Sequence, residues 1–243
     1  METGLQYNSC CLCNQGNVLT LVFDGDYACM RCIRDVMIAH IGLYKAATEG
    51  FNNEQSVAKA LSGEAVATSD STEEECPMNI FVLDEDPIVS AKMYCDKHVP
   101  KMVVELYQQL GSAVIRHGAT PDMMPLTKKG TPLKGGYHNH PCTRFCGDSR
   151  DNFIWACYHG ASLAEEYTKR FGKTHFCADG IETLSNMVDL IPEGPLTPFA
   201  QAMPDEFKDA DAVKAYRAYY HSKTFAKWQK GRPTPSWWKG AIA

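Results

Sequence analysis

Five cysteines fall within the 27 residues "SCCLCNQGNVLTLVFDGDYACMRCIRD", Ser9 to Asp35, and their spacing limits what this end of the chain can become. Cys10 and Cys13 form one Cys-x2-Cys pair, fifteen residues intervene, and Cys29 and Cys32 form a second. A segment this short cannot bury enough apolar surface to fold alone, so it needs a staple. The chain holds 11 cysteines, and its polar opening "METGLQYNS" has neither the basic start nor the apolar stretch of a secretory signal. The expected location is therefore cytoplasmic, where thiols are metal ligands rather than disulfides. Four thiolates at this spacing predict structural Zn2+, bound by Cys10, Cys13, Cys29 and Cys32 at about 2.3 Å. Cys11 could take the place of Cys10, but Cys-x2-Cys spacing favours Cys10.

Between the pairs, "NVLTLVF" and "DY" predict two short strands turning at Asp24-Gly25. After Cys32, the near-helical spacing of Val36, Ile38, Ile41, Leu43 and Tyr44 predicts a helix. Pair, hairpin, pair, helix is the order of a treble-clef zinc finger. A four-thiolate shell is closed, so the ion would be structural rather than catalytic. Residues 1–47 are expected to form this module. Residues 48–77, small, polar and ending in "TEEECP", are expected to be an acidic linker with one short helix at "EQSVAKAL".

Charge divides at the same place. Residues 1–77 carry 4 Lys/Arg against 11 Asp/Glu, whereas residues 78–243 carry 20 against 18. Nucleic-acid binding is thus not signalled by overall charge, though a local basic groove on a near-neutral domain remains compatible with it. An acidic finger is better suited to a protein partner or to its own domain. No run of about eighteen apolar residues exists, so no membrane partner is expected.

Residues 78–243 predict a mostly α (α+β) domain. An apolar strand at Ile80 to Leu83 is followed by Asp86 as N-cap and Pro87 at the first helical position. A helix from Pro87 to His117 should kink or divide at Pro100. Further helices are expected over Ser149 to Phe171 with Gly172 as stop, Ile181 to Leu190, and Ala210 to Ser222.

Four segments carry candidate chemistry. In "CDKHVPKMVVELYQQ", His98, Lys101, Met102 and Glu105 share a helix face, with Lys97 one turn before Lys101. A base, cations and a carboxylate there can bind an anion and move a proton; the plain alternative is a solvated face with a Lys101–Glu105 ion pair. Asp84 and Asp96 flank this region. In "YHNHPCTRFCGDSRDNFIWACYHG", His138, His140, Cys142 and Cys146 have metal-ligand chemistry, or Pro141 simply locks a turn that positions one histidine before a helix cap at Asp148; Arg150 and Asn152 near a helix start suit an anion, and Trp155 fills a core or stacks. "EEYTKRFGKTHF" contributes the Glu166–Arg170 pair and a basic patch of Lys169, Arg170, Lys173 and His175. "LTPFAQAMPDEFKDADAVKAYRAYYHSKTFAKW" contributes Gln201 and an aromatic, basic helix of Tyr216, Arg217, Tyr220 and Lys223, suited to core packing or to phosphate and base contact. The tail "KWQKGRPTPSWW" is either a nucleic-acid-contacting arm or a strap. Walker, GxGxxG, GxSxG and HExxH motifs are all missing from the sequence.

From Met78 on, "MNIFVLDEDP", "CDKHVPKM", "NHPC" with "SRDNFIWA", "EEYTKRFGKTH", "LTPFAQAMPDEFK", "AYRAYY" and the closing "KW" and "WW" resemble a family of small phage-encoded proteins. These are the proposed amino acid:DNA transferases that decorate thymine-derived bases, also labelled pyrimidine-dimer DNA glycosylases. The zinc module lies outside the shared part, and Pro100 departs from a helix-compatible position. The resemblance implies chemistry on a DNA base in a phage-infected host cytoplasm, with an amino acid or other small molecule as co-substrate. Transfer to a phosphorylated hydroxymethyl base would use Lys97, Lys101 and Arg150 as anion binders, Arg170 or Arg217 as carboxylate clamp, and His98 or His140 as base. A glycosylase/lyase would use Lys97 or Lys101 with Glu105 or Asp84. Either would extrude its base onto Trp155, Tyr216 or Tyr220. Asp96 joins the expected catalytic set; Asn152, His175 and Gln201 join the substrate-binding set. The rival class is a non-enzymatic zinc adaptor binding DNA or a host protein. Convergence of Asp96, His98, Lys101, His140, Arg150 and Arg217 on one pocket would favour the enzyme.

Overall fold

The computed structural model describes residues 78–241 and the backbone of three strands, β1 (Leu5–Asn8), β2 (Val18–Phe23) and β3 (Asp26–Cys29). The strands form an antiparallel sheet in the order β1-β2-β3, with Phe23 opposite Asp26 and Thr20 opposite Cys29. Two residues separate β2 from β3, as the Asp24-Gly25 signal predicts; β1 was not foreseen. Cys10, Cys13, Cys32, the helix expected after Cys32 and the linker 48–77 lie outside the described residues.

Residues 78–241 are mostly helical. The helices are α1 (Pro87–Met93), α2 (His98–Arg116), α3 (Pro141–Asp148), α4 (Arg150–Phe171), α5 (Ala178–Ser185) and α6 (Ala212–Tyr220), with 3-10 turns at Val188–Leu190 and Asp205–Phe207. Among these, no helix is long and apolar enough to cross a membrane. Asp86 caps α1 by accepting the Ile88 and Val89 N–H groups at 2.8 and 3.1 Å, with Pro87 at the first position. The expected division near Pro100 falls just upstream, at residues 94–97, and leaves Pro100 in the first turn of α2, where its missing N–H costs nothing. Ser149 starts α4, and Gly172 at φ 69° ends it in the left-handed conformation. Helix α4 is the central rod, packed against α1, α2, α3 and α5 and burying Phe153, Trp155 and Leu163.

Two expectations for this region need correction. Residues 141–148 form a helix rather than a turn before a cap at Asp148: Pro141 stands at its first position, and the His140 ring accepts the Cys142 N–H at 3.2 Å. Ile80 to Leu83 is not a strand. This fully buried segment runs through a cage of helices, and side chains take the place of a neighbouring strand. Glu105 accepts the Asn79 N–H (2.9 Å), Gln109 donates to the Asn79 carbonyl (3.3 Å), Tyr94 donates to the Phe81 carbonyl (2.7 Å), Ser90 accepts the Leu83 N–H (3.1 Å) and Arg217 donates to the Leu83 carbonyl (2.8 Å). Buried backbone groups need partners, and partners are supplied without a sheet.

The tail is a strap. Trp228 donates to the Met93 carbonyl at 3.0 Å, and Trp238 stacks on His221 with centroids 4.8 Å apart. Asp96 accepts the Gln229 and Lys230 N–H groups at 2.6 and 3.1 Å and pairs with Arg170 at 3.1 Å. Arg170, its side chain 1% exposed, also donates to the Tyr94 and Lys92 carbonyls and to Glu166. Arg232 on the strap completes the knot by a two-pronged pair with Glu166.

Removing one member of such a buried group strands charges in the interior. Glu166→Ala should therefore cost about 3–5 kcal/mol of unfolding free energy in urea titrations. Lys169→Ala, which breaks only the solvent-exposed pair with Glu165, should cost no more than about 0.5 kcal/mol. Equal effects would show that the strap is not pinned there.

Candidate functional site

A small cleft opens where the Asn79–Phe81 segment passes between α2 and the end of α6. It is lined by His98, Lys101, Met102 and Glu105 from one face of α2, by Tyr219 and Lys223 from the far side, and by Asn79 and Phe81 as floor. Its interior has room for about one water-sized group. The α2 half of this set follows from helical spacing. Of the other half, Asn79 and Phe81 come from just upstream of α1, and Tyr219 and Lys223 from positions more than a hundred residues downstream.

Phe81 is the stacking centre. The His98 ring lies parallel to it at 4.9 Å and the Tyr219 ring at 5.8 Å. Lys223 Nζ sits 4.3 Å from the Tyr219 ring centre and 3.2 Å from its hydroxyl. A cation over aromatic faces is attracted by the ring quadrupoles, which holds this lysine against Tyr219 although it is only 9% exposed.

His98 is a neutral donor. Burial, then the charges of Lys101, Lys223 and Lys97, push its pKa down to about 3. Its Nδ1 lies 2.7 Å from the Tyr220 hydroxyl, which already accepts the Cys95 N–H at 2.9 Å. The hydroxyl proton is therefore best placed toward Nδ1, which assigns the ring hydrogen to Nε2. Among the described residues Nε2 has no hydrogen-bond partner. The general-base role expected for His98 does not suit a ring whose acceptor nitrogen is occupied. Glu105, held by the Asn79 N–H and 3.6 Å from Lys101, is the carboxylate of the cleft. Three donors and one carboxylate can bind an oxyanion and accept one proton.

The remaining expected residues are elsewhere. Asp84 accepts the Asp86 N–H and pairs with Arg217 at 3.3 Å. Lys97 lies over the Phe225 ring. Asp96 belongs to the strap knot, and all three Arg170 guanidinium nitrogens are bonded to protein groups, which rules against a free carboxylate clamp. Arg150 holds Glu193 and the 189–191 loop at the start of α4. Asn152 ties Phe145 to Thr197, His175 receives the Cys177 N–H, and Gln201 clasps Asp209. Trp155, Tyr216 and Tyr220 are fully buried, so none offers a face to an extruded base. Of the six residues whose convergence would favour an enzyme, only His98 and Lys101 share the cleft.

Asn79 and Tyr219 were missed by sequence reasoning. The only signal for Asn79 is a polar residue inside a buried apolar run; its side chain binds the Ala202 carbonyl at 2.7 Å and the Tyr216 hydroxyl at 3.0 Å. No three His, Cys, Asp or Glu side chains gather as a metal site among the described residues. Cys142 and Cys146 turn into the core toward Asn79 and Gln109, away from the exposed His138. No protein-family model, curated protein or solved structure matches the chain.

Burial also pushes His159, hydrogen-bonded to the Pro87 carbonyl, down to about 4. Unfolded, both histidines would titrate near 6.5, so below that pH the unfolded chain binds more protons. Their contribution is complete above about pH 7 and is lost as pH falls from 6.5 toward the folded values, by up to about 1.4 kcal/mol per pH unit for each. Urea unfolding from pH 7.5 to 5 should show this slope, and nitrogen NMR should find His98 unprotonated with hydrogen on Nε2 throughout.

Proposed function

We propose that residues 78–241 form an enzyme acting on DNA bases, transferring an amino acid or similar group to a modified thymine. The single observation that carries this reading is the cleft, which His98, Lys101 and Lys223 line together with the Glu105 carboxylate, itself held by the Asn79 N–H. The resemblance of the segments from Met78 onward supplies the substrate class. In such a transfer the amine nitrogen attacks the hydroxymethyl carbon, the C–N bond forms as the C–O bond to phosphate breaks, and the amine proton passes to Glu105. The cations and the imidazole N–H would stabilise the departing phosphate. Because the cleft holds only a small group, the phosphate oxygens would enter it and the base would rest at its mouth.

The amino-terminal part is proposed to be a treble-clef module with one Zn2+ on Cys10, Cys13, Cys29 and Cys32, supplying folding free energy of about 10 kcal/mol. The antiparallel β2–β3 pair, ending at Cys29, supports it. Its acidic surroundings suit a protein partner. Elemental analysis of purified protein should find one zinc per chain, lost with folding of this part in Cys29→Ser/Cys32→Ser.

One observation favours a second reading, a glycosylase/lyase. The Lys101 amine lies 3.6 Å from the Glu105 carboxylate, a pairing that suits an amine nucleophile. The Asn79 nitrogen, also on Glu105, is a peptide amide and cannot form an imine. Nucleoside mass spectrometry of phage DNA with and without the gene separates the two readings. The transferase predicts a hypermodified thymidine that disappears with the gene and with Glu105→Gln or Lys101→Ala, each lowering turnover by at least about a hundredfold. An unchanged nucleoside profile, with borohydride trapping of a Lys101–DNA adduct on irradiated DNA, would replace it by the lyase.

A further inference from the structure

Further along α2 lies a second, broader groove, bounded by Tyr107 and Gln108, by the 126–135 turn and by Phe176. Three of its lining residues, Lys128, Lys129 and Lys134, are exposed lysines, and no lining residue is acidic. None of the three lysines takes part in a salt bridge among the described residues. In a chain of net charge −5, a groove of this composition concentrates positive potential locally.

The groove is also aromatic. Phe176 is 53% exposed, stacks on His175 at 4.7 Å and lies under the Lys128 ammonium at 3.9 Å. An exposed ring with a mobile ammonium over its face is a platform for an unstacked base, which would take the place of the ammonium as that moves onto the neighbouring phosphate. The wall carrying the lysines is held in place. Thr127 N–H donates to the Thr131 carbonyl and Gly130 N–H to that of Thr127, so Lys128 and Lys129 sit at the tip of a closed turn. The turn is anchored on α2 where Leu133 packs into the space a Cβ on Gly111 would fill, and where Ser112 both donates to and accepts from Gly136. Such a wall presents its charges with little ordering still to be done on binding.

From these observations we infer that the groove binds single-stranded nucleic acid, with phosphates on Lys128, Lys129 and Lys134 and one base stacked on Phe176. The choice of DNA as the polyanion rests on the base-modifying reading given above. Geometry links the two sites: Lys101 at the cleft and Gln108 at the groove are seven residues apart on one helix, hence on one face and about 10 Å apart along the axis. A strand in the groove therefore passes beside the cleft. The alternative occupant, an acidic protein segment, shares the charge but has no use for a base platform.

The test is fluorescence anisotropy of the full chain with a labelled mixed-sequence 15-nucleotide single strand at several salt concentrations. The plot of log K against log salt should have a slope of about −2 for three phosphates, a loss of about fifteenfold between 50 and 200 mM salt. Each single lysine-to-alanine change should reduce the slope by about 0.7, and the triple change should weaken binding at least tenfold. Phe176→Ala should weaken it about tenfold with the slope retained. Lys214→Ala, on the exposed surface of α6, should bind as the parent, and circular dichroism should show all variants folded. Absence of oligonucleotide binding, parent-like binding by the triple variant, or displacement by polyglutamate or by duplex as readily as by single strand would overturn the inference. Failure here, with the nucleoside profile still dependent on the gene, would remove the groove and leave the base-modifying reading standing.

Discussion

The helical part of this protein depends on a segment with no regular structure. Met78 to Leu83 is buried along its length, and a buried peptide group without a partner is destabilising by about 1–3 kcal/mol. Glu105, Gln109, Tyr94, Ser90 and Arg217 meet that demand from three different places in the chain. Each of these side chains is thereby fixed by its backbone partner, and through it so are the helices that carry it. The cleft exists because Glu105 is held from below by Asn79 while His98, Lys101, Tyr219 and Lys223 line the space beside it.

A second organising unit, the group of Asp96, Glu166, Arg170 and Arg232, ties the closing strap to α4 and to the break between α1 and α2. Its members balance one another's charge: burial alone would push the Glu166 carboxyl up, and its hydrogen bonds with Arg232 and the charge of Arg170 hold it low. Tyr220 belongs to both regions. Its ring packs among the strap tryptophans and its hydroxyl bridges Cys95 to His98, so the state of the imidazole in the cleft is coupled to the placement of the chain's last described residues.

Much of the fold is legible in the sequence, and the failures have physical causes. Local signals placed α4 between Ser149 and Gly172, capped α1 at Asp86, and separated β2 from β3, because those boundaries are decided by neighbouring residues. Residues 80–83 misled because an apolar run reports burial and not hydrogen-bond geometry. Pro141 misled because the residue that locks a turn also starts a helix. At the site, His98, Lys101 and Glu105 were readable from a single helical period, but their partners Asn79, Tyr219 and Lys223 meet them only through tertiary packing. The charged residues Asp96, Arg150 and Arg170 looked chemical because a carboxylate can move a proton and Arg suits an anion. In the fold their charges are spent on one another, on Glu166, Asp189 and Glu193 and on backbone carbonyls, a solution that a sequence does not display.

Asn79 has one more consequence. The residue that floors the cleft is joined by covalent bonds, through Met78, to everything that precedes it, and its peptide nitrogen is the atom that steadies Glu105. A pull on residue 77 would act first on Met78, buried and bonded through its sulfur to Thr143 of α3, and next on the peptide nitrogen that holds Glu105. The entry of the chain into the helical part is thus two residues from the carboxylate, and one buried methionine stands between them.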